Sequence, residues 1–171
     1  MNSGKAVVLV GHGGVPRDCP RELVTRLKAL EGQRRARGGA VSAEERDLEA
    51  RIRHWPRTRE NDPYRYGLEQ LAARLRLRLE GARLTLAYNE FCAPSLEEAV
   101  GELVDAGITE VTVIPSMLTP GGVHSEVDIP NSLGPLRARF PRLTLHYAWP
   151  FELDTVAEML SRHLRPFVTS T

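Results

Sequence analysis

The chain of 171 residues is long enough for one domain whose core needs neither disulfide bonds nor a structural metal. Its hydrophobic content of 42% and charged content of 26% are typical of a soluble globular protein, and a formal net charge of +1 gives no indication of a nucleic-acid partner. Cys19 and Cys92 form no disulfide or zinc pattern, no apolar run approaches a membrane span of ~18 residues, and no secretory signal is present. We therefore expect a cytoplasmic protein that binds neither nucleic acid nor a membrane.

The first third of the chain contains one strand and a long helical excursion. Residues 5–11 form a continuous apolar run that ends at Gly11, which predicts a buried parallel strand. The glycine loop that follows leads to a helix over 20–30 ended by Gly32, a loop over 33–42, a helix over 43–55 and a break over 56–63. Since a strand crossover needs fewer residues, we interpret 20–63 as a helical insertion in the first crossover.

The rest of the chain alternates helices with short strands. The predicted elements are a helix over 64–80, a strand over 83–89, a helix capped by Ser95 and Glu98, a strand over 110–115, a helix from the N-cap Asp128 to Phe140, a strand over 143–149 and a last helix with Leu153, Val156, Ala157, Leu160 and Leu164 in phase. This alternation predicts a single α/β domain over 1–171, with an open parallel four-stranded sheet between two helical layers, as in flavodoxin-like folds.

Three polar residues follow predicted strands at the same edge of that sheet. His12 comes directly after the first strand, Glu90 after the second, and His124 in the loop after the third. Ligands bind outside the carboxyl ends of parallel strands, and two imidazoles with a carboxylate suit Fe, Co, Ni or Zn. The trio is therefore the candidate metal site and the candidate catalytic set. Taken singly, each histidine also fits a packed or loop position, and Glu90 fits an ordinary surface carboxylate.

Several neighbours of the trio are candidates for contact with a substrate. Gly13, Gly14, Gly121 and Gly122 allow close approach, and Arg17 could pair with substrate carboxylates, as could Arg57 or Arg59 of the insertion. Asp128 is expected first as an N-cap and second as a partner of His124. The sequence has no phosphate-binding G-x-x-x-x-G-K-[ST] loop and no G-x-S-x-G elbow, so neither nucleotide-driven chemistry nor a serine hydrolase is expected. His54, His146 and His163 are interpreted as structural or exposed.

Three segments resemble the class II chelatases of the CbiX/SirB group. They are the first strand with Gly11-His12-Gly13, the run Glu90-Phe91-Cys92-Ala93-Pro94-Ser95-Leu96-Glu97-Glu98-Ala99, and the stretch from Ile114-Pro115 through Gly121-Gly122-Val123-His124 to Asp128-Ile129-Pro130. The likeness covers roughly residues 4–16 and 64–165. The chain departs from the family pattern in Gly14-Val15-Pro16-Arg17, in the insertion, and in Trp149-Pro150-Phe151-Glu152 near the last strand.

The resemblance implies a chelatase-like fold and a short, single-domain enzyme that works as a homodimer. It implies that His12 and His124 hold the incoming metal with Glu90 beside them. The reaction would insert a divalent metal (Co²⁺, Fe²⁺ or Ni²⁺) into sirohydrochlorin or a related tetrapyrrole, without ATP, in cobalamin or siroheme biosynthesis. Two other interpretations remain open, namely a non-catalytic carrier of metal or tetrapyrrole on the same fold and a metal-dependent hydrolase.

Overall fold

The computed structural model describes residues 4–168 and contains one parallel sheet with the strand order β2-β1-β3-β4. The strands are β1 (Lys5–Gly11), β2 (Arg83–Tyr88), β3 (Glu110–Pro115) and β4 (Thr144–Tyr147). The helices are α1 (Arg21–Arg37), α2 (Ala43–Arg53), α3 (Pro63–Arg76), α4 (Leu96–Asp105), α5 (Ile129–Arg139) and α6 (Leu153–Val168). The predicted α/β class with a four-stranded parallel sheet is confirmed.

Helices cover both faces of the sheet. On β3, Val111 and Val113 point into the larger core, which the helices α4 and α5 close. Ile114 points to the opposite face, where Leu68 and Ala72 of α3 pack on β1 and β2. This alternation follows from the period of two along a strand. The edge of the sheet formed by the carboxyl ends of β1, β2 and β3 therefore lies between two packed layers.

The insertion is a helical hairpin with a core of its own. Cys19, Leu27, Leu48 and Ile52 form a separate buried cluster between α1 and α2. The predicted end of the first helix at Gly32 is wrong, because α1 continues to Arg37 and only 38–42 form the loop. Packing against α2, together with the ion pair between Arg34 and the buried Glu45 (2.9 Å), outweighs the roughly 1 kcal/mol cost of one exposed glycine in a helix.

The other helix boundaries depend on local chemistry. The predicted capping box of α4 is confirmed, since the Glu98 amide donates to Ser95 Oγ (3.2 Å) and the Ser95 amide donates to Glu98 Oε2 (2.6 Å). The predicted N-cap at Asp128 is wrong. Asp128 has helical angles (φ −69°, ψ −50°) and makes no capping bond, because a π-helical turn over His124–Asp128 runs directly into α5. Other predicted ends are too long by one to four residues, since α2 stops at Arg53, β2 at Tyr88, α3 at Arg76 and β4 at Tyr147.

The last helix stands apart from the rest of the fold. The predicted apolar stripe of α6 is present, but within the described residues none of the helix is buried, and Leu160 and Leu164 are each 49% exposed. Phe167 is 72% exposed. Exposed apolar patches of this kind are typical of interaction surfaces in other proteins. Over the described ranges, no helix is long and apolar enough to cross a membrane.

Candidate metal centre

Two histidine side chains meet at the carboxyl edge of the sheet. His12 is the first residue after β1, and His124 opens the π-helical turn that follows β3, the strand paired with β1. Their ring centroids lie 4.4 Å apart, with the ring planes at 87°. Residues 112 positions apart are thus in direct contact because parallel strands end at the same edge.

The orientation of the His12 ring is set by its own loop. The His12 Nδ1 atom lies 2.7 Å from the carbonyl oxygen of Gly13. Because a carbonyl oxygen only accepts, Nδ1 carries the proton and donates, which leaves the Nε2 lone pair free. The main chain is also held, since the His12 amide donates to Tyr64 Oη (2.8 Å) and its carbonyl oxygen accepts from the Glu90 amide (2.9 Å).

The His124 ring is oriented by a carboxylate. Its Nδ1 atom lies 2.7 Å from Asp128 Oδ2, one turn further along the π-helical turn. The Asn89 Nδ2 atom donates to the same Asp128 Oδ2 at 3.3 Å. It also lies 2.7 Å from His124 Nδ1, which is a contact between two donors and not a hydrogen bond when Nδ1 carries the proton. A carboxylate paired with Nδ1 holds the proton on that atom and directs Nε2 outward, an arrangement common behind metal-binding histidines. Asp128 is therefore a partner of His124 instead of a helix cap.

Glu90 joins this centre through its main chain. Its amide donates to the His12 carbonyl oxygen, and Glu90 lines a cleft of about 340 Å³ that Asn89 and Asp128 also line. Across residues 4–168 no three His, Cys, Asp or Glu side chains are grouped so that they could hold a metal ion. The histidine pair is the part of the predicted trio that the side-chain geometry brings together.

The two glycine loops differ in how tightly they are packed, and only Gly13 leaves no room for a side chain. Gly13 has φ +86°, and a Cβ atom there would lie 1.9 Å from the Glu90 carbonyl oxygen. Gly14, next in the loop, has open space around it. In the second glycine loop, the Gly121 amide donates to Glu126 Oε1 (2.7 Å), which ties the loop to the π-helical turn, and Gly122 follows it. Both predicted loops thus lie beside a histidine of the pair.

The three candidate arginines lie in different surroundings. Arg17 is exposed and its side chain donates to the Glu60 carbonyl oxygen (3.4 Å). Arg59 stacks over the ring of Tyr66, 4.5 Å from its centroid. The expected contact of Arg57 with a substrate is wrong, because its side chain is only 2% exposed and is paired with Asp62.

An open, mostly apolar cavity of about 740 Å³ adjoins His12. Its walls come from the glycine loop, from α3 and from the segment after β3, and comprise His12, Gly13, Pro63, Tyr64, Gly67, Leu68, Leu71, Ser116 and Met117. Sequence reasoning did not single out Tyr64, which bonds to the His12 amide, or Asn89. The only sequence signal was position: Tyr64 lies in the first turn of a predicted helix, and Asn89 lies at the end of a predicted strand.

The cysteines are unsuited to metal binding in this fold. Cys92 lies in the loop after β2 but is fully buried, and Cys19 belongs to the core of the insertion. Burial raises the pKa of both thiols, so each stays protonated at neutral pH. The ligating thiolate form is therefore disfavoured at both positions.

Comparisons with known proteins agree with this architecture. The family model described as CbiX matches residues 58–165, well over half of the chain. A curated relative, the sirohydrochlorin cobaltochelatase of Methanopyrus kandleri, is 37% identical over 49 residues, which are 29% of this chain and 34% of that protein.

Two solved structures share the fold at low sequence identity. The sirohydrochlorin chelatase SirB from Bacillus subtilis subspecies spizizenii in complex with cobalt has a TM-score of 0.55 and 16% identity, over 96% of this chain and 50% of that one. SirB from Bacillus subtilis with Fe³⁺ has a TM-score of 0.54 and 15% identity, over 97% and 48%. The chain thus spans about a third of the curated relative and about half of each SirB chain.

Proposed function

Since the chain belongs to the CbiX family, we propose that it is a tetrapyrrole chelatase that inserts Co²⁺ or Fe²⁺ into sirohydrochlorin without a nucleotide. The observation that carries this proposal is the contact between the His12 and His124 rings, 4.4 Å apart at the carboxyl edge of the sheet. The curated relative named for cobalt insertion into sirohydrochlorin supports the choice of reaction.

The metal would be delivered by the two Nε2 atoms. Both Nδ1 atoms are engaged, one with the Gly13 carbonyl oxygen and one with the Asp128 carboxylate. Neutral imidazoles bind Co²⁺ and Fe²⁺ and leave several positions open, so that water can be exchanged for pyrrole nitrogens. Two ligands without a complete cage also suit a metal that is substrate and has to leave.

The two protons that leave the pyrrole nitrogens need an acceptor. Glu90 is our candidate general base, because its amide is bonded to His12 and the residue lines the same cleft as Asp128. Glu90→Gln keeps the size and polarity of the side chain but removes the base. We expect it to lower kcat by about 100-fold while Co²⁺ binding persists.

The macrocycle would lie in the open cavity next to His12. Its apolar walls, with Leu68, Leu71 and Met117, suit the face of a tetrapyrrole, and about 740 Å³ is within the range of small-molecule sites. The glycines of the two loops (Gly13, Gly14, Gly121 and Gly122) permit close approach of the ring to the histidines. Arg17 is exposed and is proposed to pair with a peripheral carboxylate.

The proposal is tested by anaerobic turnover. Purified protein is mixed with sirohydrochlorin and Co²⁺ or Fe²⁺, and product is followed by absorbance. We expect many equivalents of product from wild type and almost none from His12→Ala or His124→Ala. His146→Ala is the matched control, since His146 lies on β4 with its side chain 54% exposed. One equivalent of product indicates a carrier, and full activity in both variants would refute the histidine roles.

We further propose that the active form is a homodimer in which α6 packs on a second copy. Its apolar stripe, with Leu160, Leu164 and Phe167, has no partner within the described part of the chain, and the matched SirB chains are about twice as long. Light scattering at micromolar concentration should give twice the monomer mass, and Leu160→Asp with Leu164→Asp should give the monomer. A monomeric wild type would contradict this.

A further inference from the structure

One buried side chain of the insertion contacts both loops of the candidate metal centre. After α2 the chain turns through 54–62 and brings Arg57 underneath the loops that follow β1 and β2. The family match begins at residue 58, so Arg57 lies outside the part of the chain that matches. Its guanidinium is 2% exposed and therefore does not touch a ligand.

The guanidinium of Arg57 bridges the two loops directly. Its Nη1 donates to the Gly14 carbonyl oxygen (2.8 Å), two residues after His12. Its Nη2 donates to the carbonyl oxygen of Phe91, the residue after Glu90. A planar fork with several fixed donors can hold two carbonyl groups in one geometry, which a single ammonium group cannot do.

The partner of Arg57 extends this link to a third element. Asp62 is 4% exposed and pairs with Arg57 Nη1, while its Oδ1 accepts from the Arg65 amide (2.9 Å) and caps α3. The first turn of α3 carries Tyr64, whose hydroxyl accepts from the His12 amide (2.8 Å). Arg57 thus acts on the His12 loop from both sides, through Gly14 and through α3.

One of the bridged residues is held in an unusual conformation. Phe91 has φ +56°, in the left-handed region that side chains other than glycine rarely adopt. Its carbonyl oxygen is bound by Arg57, and the Lys28 ammonium of the insertion lies 4.7 Å from its ring centroid. Backbone conformations of this kind persist only where surrounding contacts enforce them.

We propose that Arg57 is a positioning residue, which fixes the His12 loop against the Glu90 loop and so assigns the insertion a role in assembling the centre. This proposal rests on the proposed function only where it concerns the effect of Arg57 on metal affinity and on turnover. Its geometric part, the coupling of the two loops, holds for the protein alone. No contact between Arg57 and metal or substrate is involved.

The test uses Arg57→Lys, with Arg53→Lys as the matched control. Lysine keeps a cation for Asp62 but lacks the planar fork whose two Nη atoms each donate to one of the two carbonyl oxygens. Arg53, also at the end of the insertion, donates to Cys92 O (3.0 Å) and Tyr88 O (3.4 Å) and pairs with Glu49 on its own helix. Of the two bridged loops it is bonded to the one after β2 and, within the described residues, not to the His12 loop. The readout is amide hydrogen exchange of the protein without metal.

We expect Arg57→Lys to speed exchange of both the His12 and the Glu90 amides by about tenfold. The reason is that the loss of one hydrogen bond to a charged group makes local opening of the two loops easier by about that factor. Arg53→Lys should change only residues 91–93. A His12 amide rate in Arg57→Lys equal to that in Arg53→Lys would overturn the proposal. If lysine prevents folding, the double variant Arg57→Gln with Asp62→Asn leaves no unpaired charge and keeps a capping side chain, and it must give the same result.

The second readout is Co²⁺ affinity by titration. We expect Arg57→Lys to weaken binding by about tenfold, as do changes behind metal ligands elsewhere, with Arg53→Lys close to wild type. Unchanged Co²⁺ affinity in Arg57→Lys, with wild type binding, overturns the role in the centre. If wild type binds no Co²⁺, the proposed function fails, while the exchange experiment still decides whether Arg57 couples the loops.

Discussion

Replacing Gly13 by alanine places a methyl group in a space that the structure does not have. A Cβ atom at Gly13 would lie 1.9 Å from the Glu90 carbonyl oxygen, whereas real Cβ atoms essentially never approach closer than 3.0 Å. The Glu90 peptide must therefore retreat by about 1.1 Å. Its amide donates to the His12 carbonyl oxygen at 2.9 Å, so this retreat separates the two loops of the centre.

The size of the effect follows from two separate terms. At φ +86°, alanine costs about 1–2 kcal/mol in backbone strain. Overpacking against a main-chain oxygen adds about 1–3 kcal/mol. Displacement of a reacting group by about 1 Å reduces turnover by about 100-fold. We therefore expect Gly13→Ala to lower the free energy of unfolding, measured in urea, by about 2–5 kcal/mol. We expect it to lower the rate of Co²⁺ insertion by about 100-fold.

The matched control is Gly107→Ala. Gly107 also has a positive φ (+81°), but a Cβ atom there would meet nothing within 4 Å, and it lies just after α4, at the opposite end of the sheet. In this variant only backbone strain should lower the free energy of unfolding, by about 1–2 kcal/mol, and turnover should equal that of wild type. Equal losses of stability and equal turnover in the two variants would refute the argument that the close approach of Gly13 to Glu90 shapes the centre.

Three further changes test other parts of the structure. Asp128→Asn removes the carboxylate behind His124 and should weaken Co²⁺ binding by about 10–100-fold in titrations; unchanged affinity would contradict its role. Ile52→Ala, in the core of the insertion, should lower the free energy of unfolding by about 2–5 kcal/mol, and a loss near zero would show that the insertion packs loosely. Burial raises the pKa of Tyr147 to about 12. The stability that the protonated hydroxyl contributes is therefore fully present below pH 10 and is lost as the pH rises from 10 to 12. Because this group is partly exposed, we expect the loss to be about 1 kcal/mol of unfolding free energy. Above pH 10 the stability of Tyr147→Phe should fall less steeply than that of wild type, and parallel curves would contradict this expectation.

The strands and the packing of the sheet follow from the local sequence pattern. The predicted strand over 110–115 and β3 coincide, because four consecutive β-branched residues between a glycine turn and a loop strongly favour a strand. The first strand is as clear, since an apolar run of this length at the centre of a parallel sheet is buried on both faces. The contact of the two histidines at the end of these strands is a consequence of topology.

The errors occur where tertiary contacts overrule a local signal. Gly32 is a common stop signal, but α1 is long enough to pack its last turns on α2, which the local pattern does not reveal. Asp128 precedes Ile129-Pro130, a sequence typical of a helix start. Its carboxylate instead pairs with His124, and the chain forms a π-helical turn to place that ring. π-Helical turns are rare overall, and those that occur are often found at functional sites.

The long-range contacts of Tyr64 and Arg57 were not predictable from the sequence pattern, because neither residue is placed by the end of a strand. Tyr64 bonds to His12 over 52 positions, and Arg57 bonds to Phe91 over 34 positions. A sequence shows that an arginine is present, but not whether it is buried. The expected contact of Arg57 with a substrate requires an exposed side chain, which is the usual state of arginine because it is almost never fully buried unless it is paired.

The burial of Arg57 with Asp62 is difficult to explain as a device for stability. Two ions lose their hydration, and within residues 4–168 the Arg57 Nε atom has no hydrogen-bond partner. Replacing such a pair with well-packed apolar side chains is often neutral or stabilising. Apolar side chains, however, cannot bind the Gly14 and Phe91 carbonyl oxygens or cap α3. The physical benefit of the pair is therefore positional: it holds two loops and one helix start in fixed relation at the base of the histidine pair.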